Sequence, residues 1–600
     1  FFKKNNFSQA EHYFSQISPQ DINYPNSINM LGVIAYINKN YDTALQYYNQ
    51  AVALKPNYAG AWLNKAILFQ ELNQFNKSLN CYDKAIKFEQ NYIEAWHQKG
   101  ALLERLKKYE EAVIHFDKAI QRNLNVKNFL FAKGCMLKNL YKYRDSNNCF
   151  NEVIKIDPKF AEAYLNLGLN FYHLNNSSEA IRYYDISLNY NSNLAEAWLN
   201  KGVILRERRF FDKAIDHYNK AIQIKKNYSE AWANKGVVLG DMKKYEEAIK
   251  NYNKAIKYKP NNAEAWCNKG VAFNHLNNFI DAIKSYNKAL KINSNHYSSQ
   301  YNKSLTCLIL GKFNKGWELY ETRWKRKNSQ KYKYKDIPEL KSLNEVLNKK
   351  ILIWFEQGLG DTIQFSRYIP LLHKLGGVIT FETQNSLKNL FDKQLNCDVK
   401  CKIDASDNFD YQIPTMSLPK LFKTDAGNVP PPINIKIVKG QDNTKIQNKN
   451  FTEKRLKIGI AVSGNRDHLG DSLRSMPLDK ISPLLRYGNF HLIQNNINDK
   501  DQKFYKKKKE IIFCGNQSLD EIVKVIESMD LIITVDTVFV HLAGSLNKKT
   551  FLLLNSAHDW RWLKNTNKST WYPSVEIFRC STIDNWPEII KQIKNKLNEL

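Results

Sequence analysis

The stretch DLIITVDTVFVHLAG, Asp530 to Gly544, places an aspartate, a threonine and, four residues later, a histidine directly after an apolar run. Leu531 to Val535 is β-branched and continuous, which reads as a buried parallel strand. Val538 to Leu546 then reads as a helix, so Asp536 and Thr537 stand at the carboxyl end of the strand and His541 in the helix's first turn. Unpaired N–H groups and the positive end of the helix dipole favour an anion there. This is also where ligands bind in open α/β sheets. A strand, a turn and an Asp-capped helix equally serve structure alone, so the neighbouring motifs have to decide.

Several other groups share the pattern of polar residues after an apolar run. In EQGLGD, Gly358 and Gly360 allow a backbone turn from strand to helix, and Asp361 stands at the helix start as an acid–base group or a cap. Ser463, Gly464 and Asn465 follow a further strand and offer hydroxyl, backbone and amide groups. Arg474 lies three residues before Pro477, and a guanidinium fork can grip phosphate oxygens in pairs. Asp559, Trp560, Arg561 and Trp562 follow the next strand, where they would either pack on sugar and base faces or close a core.

The elements that carry these residues occupy the second half of the chain. The first half repeats itself every 34 residues. Trp62, Trp96, Tyr164, Trp198, Trp232 and Trp266 keep that step or twice it, as do Gly32, Ala66, Gly100, Gly134, Gly168, Gly202, Gly236 and Gly270. Ala44, Ser78, Ala112, Ser146 and Ala180 follow the same step, each with an aromatic four residues later, and Pro56, Pro158 and Pro260 fall at repeat ends. The pattern resembles the tetratricopeptide repeat, with about nine units over residues 25–330 and a partial unit over 1–24. Small residues let paired helices approach and aromatics fill the space between neighbours, so the Trp ladder reads as core. Asn64, Asn166, Asn200, Asn234 and Asn268, with Gln98 and Asn302, form a polar row that is either a solvated stripe or a set of hydrogen-bonding groups for an extended peptide in a groove. The unit around Asn123 to Phe131 departs from the pattern, which predicts a local change of curvature.

After a linker over 331–349, strands alternate with helices. Strands are expected at Ile351 to Phe355, Val378 to Glu382 and Tyr411 to Ile413 in a first lobe (350–440), and after an interlobe linker (441–454) at Leu456 to Val462, Phe490 to Gln494, Glu510 to Phe513, Leu531 to Val535 and Thr550 to Leu554 in a second (455–600). Such alternation implies parallel sheets with a cleft at their strand ends. The fold class is thus an all-α tetratricopeptide solenoid followed by an α/β module of two Rossmann-like lobes.

In succession, ILIWFEQGLGDTIQFSRYIPLL, KIGIAVSGN, LRSMPL, DLIITVDTVFVHLAG, HDWRWL and WYPSVEIFR resemble the GT-B glycosyltransferase module of bacterial tetratricopeptide glycosyltransferases, which is similar to the ADP-heptose:lipopolysaccharide heptosyltransferases. The resemblance covers about residues 315–600. It implies an inverting, metal-independent transferase that takes a nucleotide-diphosphate sugar as donor substrate and needs no cofactor. Asp361 corresponds to that family's general base, with Glu356 and Gln357 as neighbours for sugar hydroxyls or a substitute base. Arg474, Thr537 and His541 correspond to donor-diphosphate contacts and Asp536 to a ribose or amide contact. Asp559 and Arg561 would border the same donor site. Val538 departs from the family's Gly. The implied partners are a nucleotide sugar and a protein or peptide acceptor held by the repeats. A scaffold without catalysis, or transfer to a glycolipid or polysaccharide, are the alternatives.

The formal net charge of +30 raises nucleic acid as a partner. Lys and Asn are dispersed, however, and the one dense run, Lys506 to Lys509, has no interleaved aromatics, so no specific nucleic-acid site is expected. The nine cysteines form no CxxC pair, which speaks for reduced thiols and against a zinc ribbon. No apolar run approaches the roughly 20 residues of a membrane span, and no signal-like segment opens the chain, which begins at Phe1 in mid-pattern. A cytoplasmic protein is the resulting expectation.

Overall fold

The computed structural model describes residues 7–326, 332–436, 455–464, 471–495 and 497–599. The chain divides into two compact units, 1–238 and 239–600.

In the first unit, after the short helix Phe7–Ser15, helices of 13 or 14 residues alternate from Tyr24–Ile37 to Phe211–Ile224. Their pairing follows the 34-residue step. A Cβ on Gly100 would come within 2.3 Å of Phe116 Cε1, and one on Gly168 within 2.5 Å of Tyr184 Cε1; only glycine lets the paired helix bring its aromatic that close. The Trp ladder has a second task besides packing. Trp62 Nε1 donates to the Pro56 carbonyl (2.8 Å), Trp96 Nε1 to Gln90 (2.9 Å) and Trp198 Nε1 to Ser192 (2.9 Å), while Tyr164 Oη donates to Pro158 (3.1 Å). Each ring therefore ties down the loop that precedes its helix.

The turns inside the pairs carry one left-handed residue per repeat: Lys39, Asn73, Lys107, Tyr141, Asn175 and Arg209, with φ between 57° and 63°. Asparagine tolerates that region and a long side chain does so at a cost. Arg209 is exposed, so Arg209→Gly should remove the strain without losing packing. A gain of roughly 0.5–1 kcal/mol is expected, seen as a higher midpoint in thermal unfolding. The aberrant unit has its own cause. The helices ending at Leu54, Phe88, Ile156, Tyr190 and Ile224 close on a residue with φ between −129° and −143°. The helix Tyr109–Gln121 closes on Arg122 at φ −84°, and the left-handed Asn123 and Asn125 reset the chain before Val126–Asn139.

The second unit contains the end of the array and both sheets. In the first sheet, β1 (Lys350–Trp354), β2 (Val378–Glu382), β3 (Asp398–Lys400) and β4 (Tyr411–Pro414) are ordered β3-β2-β1-β4, all pairs parallel. In the second, β5 (Leu456–Ala461), β6 (Gly488–Leu492), β7 (Ile511–Phe513), β8 (Leu531–Val535), β9 (Thr550–Leu554) and β10 (Val575–Arg579) are ordered β10-β9-β8-β5-β6-β7, again parallel. β3 and β10 were not expected. The first is only three residues long, and both lie at sheet edges, where charged residues such as Asp398, Lys400, Glu576 and Arg579 interrupt the apolar run. The described part of the 331–349 stretch is bound along the first sheet: Leu340 N and Gln412 N exchange bonds with Gln412 O and Pro338 O (3.0 and 2.8 Å), and Leu340 and Val346 are buried. Interlobe residues 441–454 lie outside the described residues.

The last helix pair, Tyr297–Ile309 and Phe313–Tyr320, is built into this unit's core. Trp317 stands edge-on to Trp560 (5.2 Å between centroids) and its Nε1 donates to Thr424 O (2.9 Å), while Phe365 meets Trp571 edge-on (5.8 Å). Each such aromatic removes roughly 150–250 Å² from water, about 4–6 kcal/mol of transfer free energy before ordering costs. The cluster joins the last helix pair to the first and second lobes.

Candidate functional site

The strand order of the second sheet reverses between β5 and β8, where Ala461 is paired with Thr534. The chain therefore leaves these strands side by side, and Ser463 and Asp536 emerge at the position where such sheets bind ligands. A cleft of about 1200 Å³ opens there, lined from the second lobe by Ser463, Gly464, Arg474, Asp536, Thr537, Val538, His541, Asp559 and Arg561. Glu356 to Asp361 line it from the first lobe, and Tyr301 with Arg323, Trp324 and Arg326 from the end of the repeats. Of the predicted residues of the α/β module, Asn465 lies outside the described residues and Trp560 and Trp562 are buried in the core; the others meet in one place.

On the second-lobe side, Thr537 is the N-cap position of the helix Val538–Ser545, yet its side chain does not cap it; Oγ1 stands 3.3 Å from Thr534 Oγ1. The helix start faces the cleft with Val538 and Phe539, and the Val538 side chain also packs against the core. Ser463 is held by Gln494, whose Oε1 accepts from the amides of Val462 (2.6 Å) and Ser463 (3.1 Å) and whose Nε2 donates to Ser463 Oγ (2.7 Å). A Cβ on Gly464 would lie 2.7 Å from Arg474 Nη2. The glycine thus makes room for the guanidinium, which Asp471 steadies through Nε (3.2 Å).

Two charge networks set the electrostatics. Arg561 donates from Nη1 to Asp559 (2.7 Å), from Nε to Gln364 Oε1 (2.9 Å) and from Nη2 to Asp361, so one guanidinium clasps both lobes. Burial pulls its pKa down, but Asp361 and Asp559 outweigh that and hold it above the ordinary value. Asp361 Oδ2 accepts from the Gly358 amide (3.2 Å), so the carboxylate reaches back to the N-cap amide of the helix Leu359–Phe365. Asp536, beside this network, is pushed up to about 6 by burial and by Asp559, against the pull of Arg561, Trp562 and Arg474.

Glu356 and the glycine pair depart from expectation, and His541 is more buried than a site residue needs to be. Glu356, expected as a substitute base, is a structural anchor: Arg323 grips it from Nε (2.7 Å) and Nη2 (3.0 Å), and the Met416 amide donates to Oε1 (2.9 Å). Its side chain is 1% exposed against 18% for Asp361. Three donors take up most of its acceptor sites, and burial pushes its carboxyl up against the pull of Arg323. Gly358 and Gly360 were expected to permit a turn, yet neither has positive φ. Gly360 is required for a different reason: a Cβ there would stand 2.6 Å from His541 Cδ2. His541, in turn, is buried against that glycine with Nδ1 3.0 Å from Tyr572 Oη, and burial, then Arg561 and Arg367, drive its pKa well below 6.5. It is a neutral imidazole packed between the lobes, and it also lines the cleft.

The asparagine row is mixed. Asn64 donates to Asn29 (3.1 Å), while Asn166 is buried, accepts from Lys138 (2.6 Å) and donates to the Glu162 carbonyl (2.9 Å). These two serve the array itself. Asn200 Nδ2 is buried without a hydrogen-bond partner among the described residues. Asn234 and Asn268 are half-buried. Reading the chain missed Gln494, Gln364, Tyr572 and the repeat residues Tyr301 and Arg326. Gln494 carried a signal, a polar group ending the apolar run HLI; the others carried none.

Among the described residues, no group of His, Cys, Asp and Glu could hold a metal ion and no helix is long and apolar enough to cross a membrane. Residues 495–584 match the family Glycosyltransferase family 9 (heptosyltransferase). Tetratricopeptide repeat families match 1–59, 35–106, 93–125, 131–193, 195–228 and 263–296, with a further TPR repeat match at 241–277. Protein FlbA of Caulobacter vibrioides is 23% identical over 331 residues, 49% of this chain and 53% of FlbA. The chain thus spans about half the length of this curated relative. Among solved structures, MamA is 25% identical over 27% of this chain and 94% of its own (TM-score 0.25). A tetratricopeptide repeat protein from Parabacteroides merdae is 17% identical over 41% and 98% (TM-score 0.35).

Proposed function

We propose, for a chain that joins tetratricopeptide repeats to a glycosyltransferase family 9 domain, that it moves a sugar from a nucleotide-diphosphate donor to an acceptor protein recruited by the repeats. The observation that carries this reading is the convergence on one cleft of a helix start (Thr537, Val538), two guanidinium groups (Arg474, Arg561) and, from the facing lobe, Asp361. Guanidinium groups and helix amides stabilise charge building on a departing diphosphate. Arg561 is tied to Asp361 in this form. A diphosphate arriving beside Arg561 would compete for its Nη2 and free Asp361 Oδ1, so donor binding would arm the base. Asp361 then takes the proton of the acceptor hydroxyl, the oxygen bonds to the anomeric carbon, and the bond to the diphosphate breaks, which inverts that carbon without calling on a metal ion. Titration calorimetry with UDP, ADP, GDP, CDP and TDP tests the reading; no binding to any of them at millimolar concentration would sink it.

Asp536 supports a second placement of the base, since a carboxylate with a pKa near 6 takes protons more readily at neutral pH than one in the ordinary range. If the ionised form is needed, kcat/KM should fall as pH drops below about 6, and Asp536→Asn should remove that limb. The same shift has a stability consequence. A carboxyl whose folded pKa exceeds its unfolded value stabilises fully below 3.8 and loses that contribution as pH rises through about 6. Asp536→Asn should therefore leave stability at pH 4 unchanged and raise it at pH 8, by on the order of 2 kcal/mol. Urea unfolding at the two pH values measures the difference, and equal effects at both would refute the shift.

A further inference from the structure

The end of the repeat array supplies a third wall of the cleft. Tyr301 belongs to the helix Tyr297–Ile309, and Arg323 to Arg326 follow the helix Phe313–Tyr320. The cations on this wall are unequal. Arg323 is neutralised by Glu356 (2.7 Å) and Glu321 (2.8 Å). Arg326 has no carboxylate partner among the described residues; its guanidinium lies 4.3 Å from the centre of the Tyr301 ring, and its Nε is buried with no hydrogen-bond partner among them. The ring seats the guanidinium at the cleft wall, where its N–H fork can meet an anion. The helix that carries Tyr301 packs against the turn Trp560–Trp562, which puts the pair on the Arg561 side of the cleft. Asp559, just before that turn, is held by Arg561 Nη1 (2.7 Å). A single small-ligand site runs to about 1,000 Å³ at most, so a cleft of about 1200 Å³ has room for a donor and the reacting end of an acceptor.

We propose that Arg326, seated on the Tyr301 ring, is the acceptor-side anion site of this cleft and binds a carboxylate that the acceptor carries next to the hydroxyl receiving the sugar. The proposal rests on the nucleotide-sugar reading above and adds the chemistry of the acceptor. Two sources supply such a carboxylate, an acidic side chain beside a modified serine or threonine and an acidic sugar. Arg326 is thus a specificity residue, and the last repeat serves the reaction site in addition to the array.

The test uses the full chain and two matched probe pairs: serine peptides with aspartate or asparagine beside the serine, and methyl glucuronide against methyl glucoside. Binding of each probe is titrated by saturation-transfer NMR with and without the tightest-binding nucleoside diphosphate. In one pair the acidic member should bind at least about tenfold more tightly, the worth of one charge-assisted hydrogen bond, and the pair that shows this names the source. Arg326→Gln should abolish the preference and Arg326→Lys keep part of it, both with unchanged diphosphate affinity. Equal binding of acidic and neutral members in both pairs, including binding of neither, overturns the proposal, as does a preference that survives in Arg326→Gln. A wild-type chain that binds no nucleoside diphosphate overturns the earlier reading and this one together; one that binds diphosphate without acid preference overturns this one alone.

Discussion

Arg561→Ala should lower the rate of donor turnover by about a hundred- to a thousandfold, the cost of removing one preorganised donor from a transition state that builds negative charge. It should also destabilise the chain by about 3–5 kcal/mol, because removing one partner of a buried ion pair leaves the others uncompensated. Both effects follow from one geometry: a single buried guanidinium faces Asp361, Asp559 and Gln364. Arg561→Lys separates them, since an ammonium restores charge but cannot reach three acceptors with one planar fork; stability should return in part and turnover should not. Donor hydrolysis under saturating nucleotide sugar and urea unfolding measure the two. An Arg561→Ala chain that turns over donor at the wild-type rate would take the guanidinium out of the mechanism.

Glu356→Ala should damage folding about as much as Arg561→Ala and chemistry far less. It leaves Arg323 buried opposite Glu321 alone, with the Met416 amide unpaired, and a loss of about 3–5 kcal/mol is expected. Replacing the pair together, Glu356→Leu with Arg323→Met, should recover most of that, because an apolar pair of similar volume avoids the desolvation of two ions. Per folded molecule, nucleoside diphosphate affinity should stay within about threefold of wild type, less than 0.7 kcal/mol. If Glu356→Gln abolished turnover while leaving the unfolding curve in place, Glu356 would be returned to the chemistry.

The repeat pattern and the strands were legible because each is a local property. A step of 34 residues in small and aromatic residues reports helix pairs that meet only their neighbours, and β-branched runs such as Leu531–Val535 and Thr550–Leu554 report strands buried on both faces. The candidate site was legible to the same extent, since strand ends in a doubly wound sheet converge by topology. Ser463, Asp536, Thr537, Asp361 and Arg561 were expected at one cleft on that ground, and Arg474 through the family resemblance.

Their partners were not legible. Whether a carboxylate is base, cap or anchor depends on which cation it meets, and those meetings span 33 residues for Glu356 with Arg323 and 200 for Asp361 with Arg561. Sequence spacing carries no information over such distances, so Glu356 and Asp361, five residues apart in one motif, looked interchangeable and turn out to differ in exposure and in role. Gly360 was read as a turn residue and His541 as a donor contact, and only the packing of the two lobes revealed that they face one another. By itself, then, the sequence determined the elements and the strand ends on which the polar groups stand, because periodicity and apolar runs are short-range. The tertiary structure alone decided which of those groups are buried, paired or open to the cleft, and that the last repeat forms one of its walls, because charge pairing and close packing depend on residues far apart in the chain.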